Sequence, residues 1–430
     1  MDKYLISYIC DPMLYSFLKV FIKKCLQYYF NQINVYGTEN IPPKGPTLFI
    51  SNHPSSFMEG LLIACYQEQT LHFLVRGDMF EKAWLKPLLH KTNQIPIYRF
   101  RDGFEKLRNN KGTFSHSFDK LGDNHSILIF PEASTQLVRY LRPLQKGAAR
   151  LAIGSIEEKN MDDLIIVPCG IHYSNVIQSS SNVLLFFGPG ISVRKWIEDH
   201  NMVNDKISHL TTDLETELGQ VIMSIPEKTD QQLYDQLSCI LNNSNNTVTE
   251  DAPSRYFANH KNILKLLNIQ EIQTRKALQE YTSRYSTIEA LEFALLKPLS
   301  EKIILFIELV LYFFIGLPGF ITNVIPIGIA EQFTKNKIKN KEFIAPVKFI
   351  LSVLFTLVFS IFWLIFWTSI LGFVNGLIVV IGLQFSFYYF IQFKHKSKLG
   401  KYLFNLNIYQ NKNRLMEKRN EVLKLFEIPL

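Results

Sequence analysis

Up to about residue 225, short apolar runs alternate with longer amphipathic stretches. The runs are Asn34-Val35-Tyr36, Pro46-Thr47-Leu48-Phe49-Ile50, Leu71–Arg76, Ile95–Arg99, Ser126–Phe130, Leu164–Ile171 and Val183–Phe187. Each reads as a buried strand bounded by turn residues. The stretches between them, such as Met79 to Leu89 and residues 103–121, read as helices. Strands that alternate with helices restrict this part of the chain to an α/β domain.

One of these strands runs directly into Ser51-Asn52-His53-Pro54-Ser55-Ser56-Phe57-Met58-Glu59-Gly60, and Leu61-Leu62-Ile63-Ala64 then begins a helix. A histidine therefore stands at a strand-to-helix turn, with a carboxylate six positions on. A neutral imidazole takes a proton from a hydroxyl near neutral pH, and a carboxylate on its other nitrogen fixes the tautomer. The same layout fits a capping histidine beside an unrelated surface glutamate, so later segments have to decide.

Two later strands end in basic residues, Arg76 and Arg99, with Arg101 as a substitute for the second. Arginines at neighbouring strand ends can hold a phosphate through paired hydrogen bonds. Either alone reads as a solvated surface residue. The strand Ser126–Phe130 is followed by Pro131-Glu132-Ala133-Ser134-Thr135, at the edge where α/β sheets place their sites.

The formal net charge is +8 and the isoelectric point about 9.0. That balance fits nucleic acid, anionic lipid headgroups or a phosphorylated substrate. Long apolar segments near the C-terminus favour the last two, and nucleic acid is not expected as a partner. The five cysteines are scattered, with no CxxC pair and no histidine at metal-ligand spacing, so free thiols and no metal are expected. No signal peptide is read at the N-terminus.

Four blocks, in order, resemble the PlsC-like glycerolipid acyltransferases: Asn52-His53…Glu59, Ile95-Pro96-Ile97-Tyr98-Arg99, Phe130-Pro131-Glu132 and Val167-Pro168. Gly188-Pro189-Gly190 resembles a weaker fifth. The resemblance covers roughly residues 10–225 and rests on the order and spacing of the blocks. Two departures stand out. The first block carries Glu59 after five intervening residues, where the family usually has Asp after four. The wider spacing resembles the glycerol-3-phosphate branch. The third block continues Ala133-Ser134-Thr135-Gln136, where the family usually has Gly and an Arg.

The resemblance implies acyl transfer from an acyl thioester to a hydroxyl. His53 is then the general base and Glu59 its orienter. Arg99 and Arg76 hold the acceptor's phosphate, and Glu132 binds an acceptor hydroxyl or fixes the arginines. Asn52, Ser134 and Thr135 complete the expected substrate-binding set. No cofactor is implied; acyl-CoA or acyl-carrier protein is the co-substrate. The acceptor is glycerol-3-phosphate or 1-acylglycerol-3-phosphate. The altered third block keeps open a non-phosphate acceptor such as a lyso-aminolipid, and a catalytically weak lipid-binding scaffold is the reading from another class.

The expected organisation is an amphipathic membrane-surface helix in residues 1–30, with Lys19, Lys23 and Lys24 toward headgroups. An acyltransferase domain with a mixed sheet flanked by helices occupies 31–225. A helical region covers 226–300, with a polar linker near 242–253. Membrane-embedded segments fill 301–393, and 394–430 is a basic cytoplasmic tail. Lysines at 335–341 and 394–401 place both loop and tail on the cytoplasmic side. Residues 303–327 therefore read as re-entrant at Gly316-Leu317-Pro318-Gly319, and 347–371 with 377–393 as a spanning hairpin. The expected location is a bacterial inner membrane with the catalytic domain facing the cytoplasm.

Overall fold

The computed structural model describes residues 12–83, 85–98, 110–226, 229–244 and 252–426. The chain forms two units. The first runs to Ser224 and takes back Asn340–Pro346; the second holds Ile225–Lys339 and the chain from Val347.

The strands of the first unit are Gln32–Tyr36 (β1), Thr47–Ser51 (β2), Leu71–Arg76 (β3), Gln94–Ile97 (β4), Ser126–Ile129 (β5), Ile165–Tyr173 (β6), Asn182–Phe187 (β7) and Ile191–Ser192 (β8). They form one mixed sheet in the order β1-β7-β6-β2-β5-β3-β4, with β8 paired to β6. Pairing is parallel except where β6 meets β7 and β8. At the centre, β2 lies between β5 and β6, with Phe49 opposite both Leu128 and Val167. All five β2 residues are buried. A central parallel strand covered on both faces needs an uninterrupted apolar run, which Leu48-Phe49-Ile50 supplies. The flanking helices are Pro12–Tyr29 (α1), Met58–Cys65 (α2), Lys86–Lys91 (α3), Asn110–Gly122 (α4), Gly147–Lys159 (α5), Val193–Asp199 (α6) and Lys206–Gln220 (α7).

Three local expectations are corrected. The single helix expected from Met79 to Leu89 is a 3-10 turn, Gly77–Glu81, followed by the separate short α3 with Pro87 in its first turn. A proline starts a helix readily and interrupts one from within. The strand expected to end at Ile171 continues to Tyr173. On α1, Lys19 donates to the Glu68 carbonyl at 3.2 Å, and Lys23 lies over the Tyr66 ring at 4.6 Å. These two lysines serve the carbonyls and aromatic ring just past the end of α2, where positive charge is favoured. The exposed stripe of α1 is instead Met13, Phe17, Val20 and Lys24.

The second unit contains Gln231–Ser244 (α8), Ala252–Thr282 (α9), Ile288–Leu296 (α10), Leu299–Lys337 (α11), Ile344–Leu371 (α12, its first residues lying in the first unit), Phe373–Leu399 (α13), Leu406–Gln410 (α14) and Lys412–Lys424 (α15). The stretch expected as a basic tail is folded: Ile408, Leu415 and Val422 join Leu237, Ile263 and Leu291 in one core. Inside it, Arg419 Nε reaches both Glu292 oxygens at 2.9 and 3.0 Å, and Tyr281 donates to the same carboxylate at 2.5 Å. The pair's charges are nearly sealed from solvent, so each depends on the other.

Helices α11, α12 and α13 are long and apolar enough to cross a membrane. α12 and α13 are antiparallel, with Gly376 against Thr368 and Gln384 donating to Ser360 at 3.0 Å. That register brings Lys348 level with Lys396. Glu308 of α11 pairs with Lys396 at 2.6 Å, and Glu331 of α11 pairs with Lys348 at 3.4 Å. A straight helix would hold the two acids about 34 Å apart, at 1.5 Å per residue. α11 is therefore helical throughout but bent between them. Pro318 and Pro326 lie in this stretch. The Ser386 hydroxyl is inserted into the helical ladder: it accepts from Gly319 N–H at 2.8 Å and donates to the Ile315 carbonyl at 2.5 Å. Proline and an inserted side chain are established causes of kinks.

Candidate active site

The site starts where β2 runs out. The Asn52 amide continues the β2–β6 ladder beyond the last strand residue. Its Nδ2 donates to the Ile171 carbonyl and its Oδ1 accepts from the Ile171 N–H, both at 2.9 Å. A carboxamide has one donor and one acceptor side and so imitates a peptide unit. Asn52 thereby anchors the turn, and His53 is held at its start.

α2 begins at Met58, so Glu59 lies in its first turn and is fully buried. Its Oε2 lies 3.1 Å from His53 Nδ1, and its Oε1 accepts from the Tyr173 hydroxyl at 2.9 Å. Glutamate at this spacing thus reaches the histidine. Burial pushes the Glu59 carboxyl up, while His53 and Tyr173 pull it back. Burial and the adjacent Glu59 hold the Tyr173 hydroxyl well above its usual range, so it stays a donor. With Nδ1–H directed at Glu59, the lone pair of His53 is on Nε2. The imidazole stacks on Phe130, the residue after β5, with ring centres 3.9 Å apart and planes 10° apart.

The loop after β5 is tied to the same turn, since Gln136 N–H donates to the His53 carbonyl at 3.4 Å. Within this loop Glu132 is buried and forms an ion pair with Arg142, which also donates its backbone N–H to Glu132 Oε1 at 3.3 Å. Arg142 Nη1 donates to Ser134 Oγ at 2.6 Å, and Nη2 to the Ser134 carbonyl. Glu132 and Ser134 are therefore engaged by Arg142. Thr135, half-buried, adjoins Gln136 in the same loop. Ala133, where the family usually has glycine, keeps a left-handed backbone at φ 56°.

Arg76 ends β3 and is opposite Ile97 of β4. It is exposed and forms a forked ion pair with Asp78, with Nε to Oδ1 at 3.1 Å. Arg99 and Arg101 lie outside the described residues. A cleft lies beside Asn52 and Pro54, lined also by Val138, Arg139, Ile171 and Tyr173. Burial pushes the Cys25 and Cys65 thiols up to about 11 and about 12, and Cys169 well above its usual range, which suppresses the thiolate needed for attack.

The structure thus brings Asn52, His53 and Glu59 together and sets Glu132 and Ser134 in a second cluster linked to them by the loop. Tyr173 and Arg142 were missed from sequence. Tyr173 shares the β6 face of Ile171 by the strand's two-residue repeat. Arg142 carried no local signal.

Residues 32–172, which hold the residues of this site except Tyr173, match the family described as Acyltransferase. Over 149 residues the chain is 27% identical to Glycerol-3-phosphate O-acyltransferase 2 of Saccharomyces cerevisiae, covering 35% of this chain and 17% of that protein. Over 78 residues it is 33% identical to Glycerol-3-phosphate O-acyltransferase 1 of the same yeast, covering 18% of this chain and 10% of that protein. The chain therefore matches a small part of the length of these curated relatives. Among solved structures it is similar to the 1-acyl-sn-glycerophosphate (LPA) acyltransferase PlsC from Thermotoga maritima, with a TM-score of 0.37 and 14% identity over 48% of this chain and 78% of that one. Within the first unit, residues 32–172 thus match an acyltransferase domain that is similar in sequence to glycerol-3-phosphate O-acyltransferases.

Proposed function

We propose that the protein transfers a fatty acyl group from acyl-CoA or acyl-carrier protein to glycerol-3-phosphate or 1-acylglycerol-3-phosphate at a membrane. The observation that carries this reading is the His53–Glu59 contact, completed by Tyr173. His53 Nε2 takes the acceptor's hydroxyl proton as that oxygen attacks the thioester carbonyl. Glu59 stabilises the imidazolium that forms. The carbon–sulfur bond then breaks, and the proton on His53 passes to the departing thiolate. No acyl-enzyme is needed, in keeping with thiols held protonated by burial. Arg76 and Arg99 remain the residues proposed for an acceptor phosphate.

A second acceptor class has specific support. The third block lacks the family's arginine, and Arg142 is occupied with Glu132 and Ser134. That arrangement favours a lyso-aminolipid or other acceptor that needs no phosphate clamp at this loop. A catalytically weak scaffold has less support, because a lipid-binding role needs no Glu59 behind His53.

For the membrane, the bent α11 and the return of Asn340–Pro346 to the first unit support a dipping α11 and an α12–α13 hairpin that crosses twice. Tyr29 donates to the Ala345 carbonyl at 3.2 Å within that unit. The proposed orientation puts the acyltransferase domain and both lysine clusters on the cytoplasmic side.

The test is incubation of the purified protein with labelled acyl-CoA or acyl-carrier protein and separate pools of glycerol-3-phosphate, 1-acylglycerol-3-phosphate and lyso-aminolipid. Product from a phosphate acceptor supports the first reading. Product from the aminolipid alone supports the second, and no product from any pool overturns both.

A further inference from the structure

A second group of side chains gathers where α6 meets α7. His200 is the C-cap residue just after α6; His209 and Asp213 are one turn apart on α7. Residues four apart on a helix share a face. Ligand atoms of His200, His209 and Asp213 all lie within 4.8 Å of one another.

Trp196 orients two of the three. Its carbonyl lies 2.9 Å from His200 Nδ1, and its indole N–H donates to Asp213 Oδ2 at 2.8 Å. The His200 ring also stacks on the indole, with centres 4.3 Å apart. Nδ1–H is thus committed to the Trp196 carbonyl, which leaves the Nε2 lone pair to coordinate. Asp213 keeps Oδ1. A histidine fixed through its second nitrogen by a backbone carbonyl is the outer-shell arrangement that metal-binding histidines use. Two imidazoles and one carboxylate suit zinc, cobalt or nickel better than calcium or magnesium, which prefer all-oxygen ligand sets.

We propose that His200, His209 and Asp213 bind one divalent transition-metal ion of the zinc type and so fasten the end of α6 to α7. Coordination draws the three ligand atoms closer, by rotation of the exposed His209. None of these residues belongs to the His53 site, so the metal has no part in acyl transfer. It stabilises the fold by binding the native state alone. Histidines nine residues apart, across a helix boundary, gave no ligand-spacing signal in the sequence.

The experiment uses untagged full-length protein in detergent, stripped with a chelator and titrated with zinc chloride by calorimetry. Cobalt absorption serves as a second probe. The expected result is one ion per chain, a raised thermal midpoint, and cobalt bands of low coordination number. His209→Ala and Asp213→Asn each weaken zinc binding at least tenfold and remove the thermal shift, while acyl transfer is unchanged. His209 is exposed, and Asn at 213 still accepts from the indole, so both variants retain the fold. No stoichiometric zinc binding, or binding of equal strength in both variants and the parent, overturns the proposal.

Discussion

Tyr173 donates its hydroxyl proton to the Glu59 oxygen that His53 leaves free, at 2.9 Å. Both oxygens of one buried carboxylate are thus satisfied, one by the proposed base and one by a residue 114 positions away. Removing the hydroxyl strands a buried acceptor, which costs roughly 1–3 kcal/mol. Tyr173→Phe is expected to lose about that much stability in urea unfolding and to lower kcat with little change in KM. Unchanged stability and kcat would exclude a positioning role.

Glu59→Gln tests the tautomer. Its Oε1 still accepts from Tyr173, but its amide presents a donor to His53 Nδ1. The proton then moves to Nε2, where the acceptor hydroxyl needs a lone pair. A loss of about 10²–10⁴-fold in kcat is expected, the scale of general-base catalysis. Near-parental kcat would show that Glu59 does not set the tautomer.

The same substitution has a pH signature. Burial raises the Glu59 carboxyl in the folded state. Between the ordinary carboxylate value, about 4.3, and that raised value, the native state binds more protons than the unfolded chain. This group's contribution is full below the unfolded value and falls as pH rises through the folded one. Urea midpoints of the parent should decline over that window relative to Glu59→Gln, which cannot titrate. Parallel curves would contradict the shift.

Arg142 balances Glu132 in a nearly sealed pair. Arg142→Ala leaves a buried carboxylate uncompensated and is expected to cost about 3–5 kcal/mol. The loop also loses the clamp on Ser134, so activity should fall as well. Activity and unfolding free energy both at parental level would show the pair to be dispensable.

Ala133 holds a left-handed backbone that glycine adopts without a Cβ penalty, a penalty of about 1–2 kcal/mol. Glycine's greater freedom in the unfolded chain offsets part of that gain. Ala133→Gly is expected to raise stability by about 0.5–1 kcal/mol and leave turnover intact. Destabilisation would mean that the methyl group is packed.

Much of the first unit was legible because its signals are local. Leu48-Phe49-Ile50 is an uninterrupted buried run, and Glu59 follows His53 within a single turn and helix start. Tyr173 escaped because the polar His172 breaks the apolar run that marks β6. Arg142 escaped because its partners lie eight and ten residues back in a loop without period. Charge masked the fold of α15: Leu415 and Val422 are seven apart on one face, with the buried Arg419 between them. The bend in α11 coincides with a Gly-Pro signal, but the Ser386 hydroxyl that accommodates it comes from α13.

The central claim is that His53 is the base. The most direct measurement is the rate of labelled acyl transfer by purified His53→Ala beside the parent, with circular dichroism to establish equal folding. A loss of about 10²–10⁴-fold in a folded variant is predicted. Transfer at the parental rate would contradict the account and leave the Glu59–Tyr173 pair as a structural feature only.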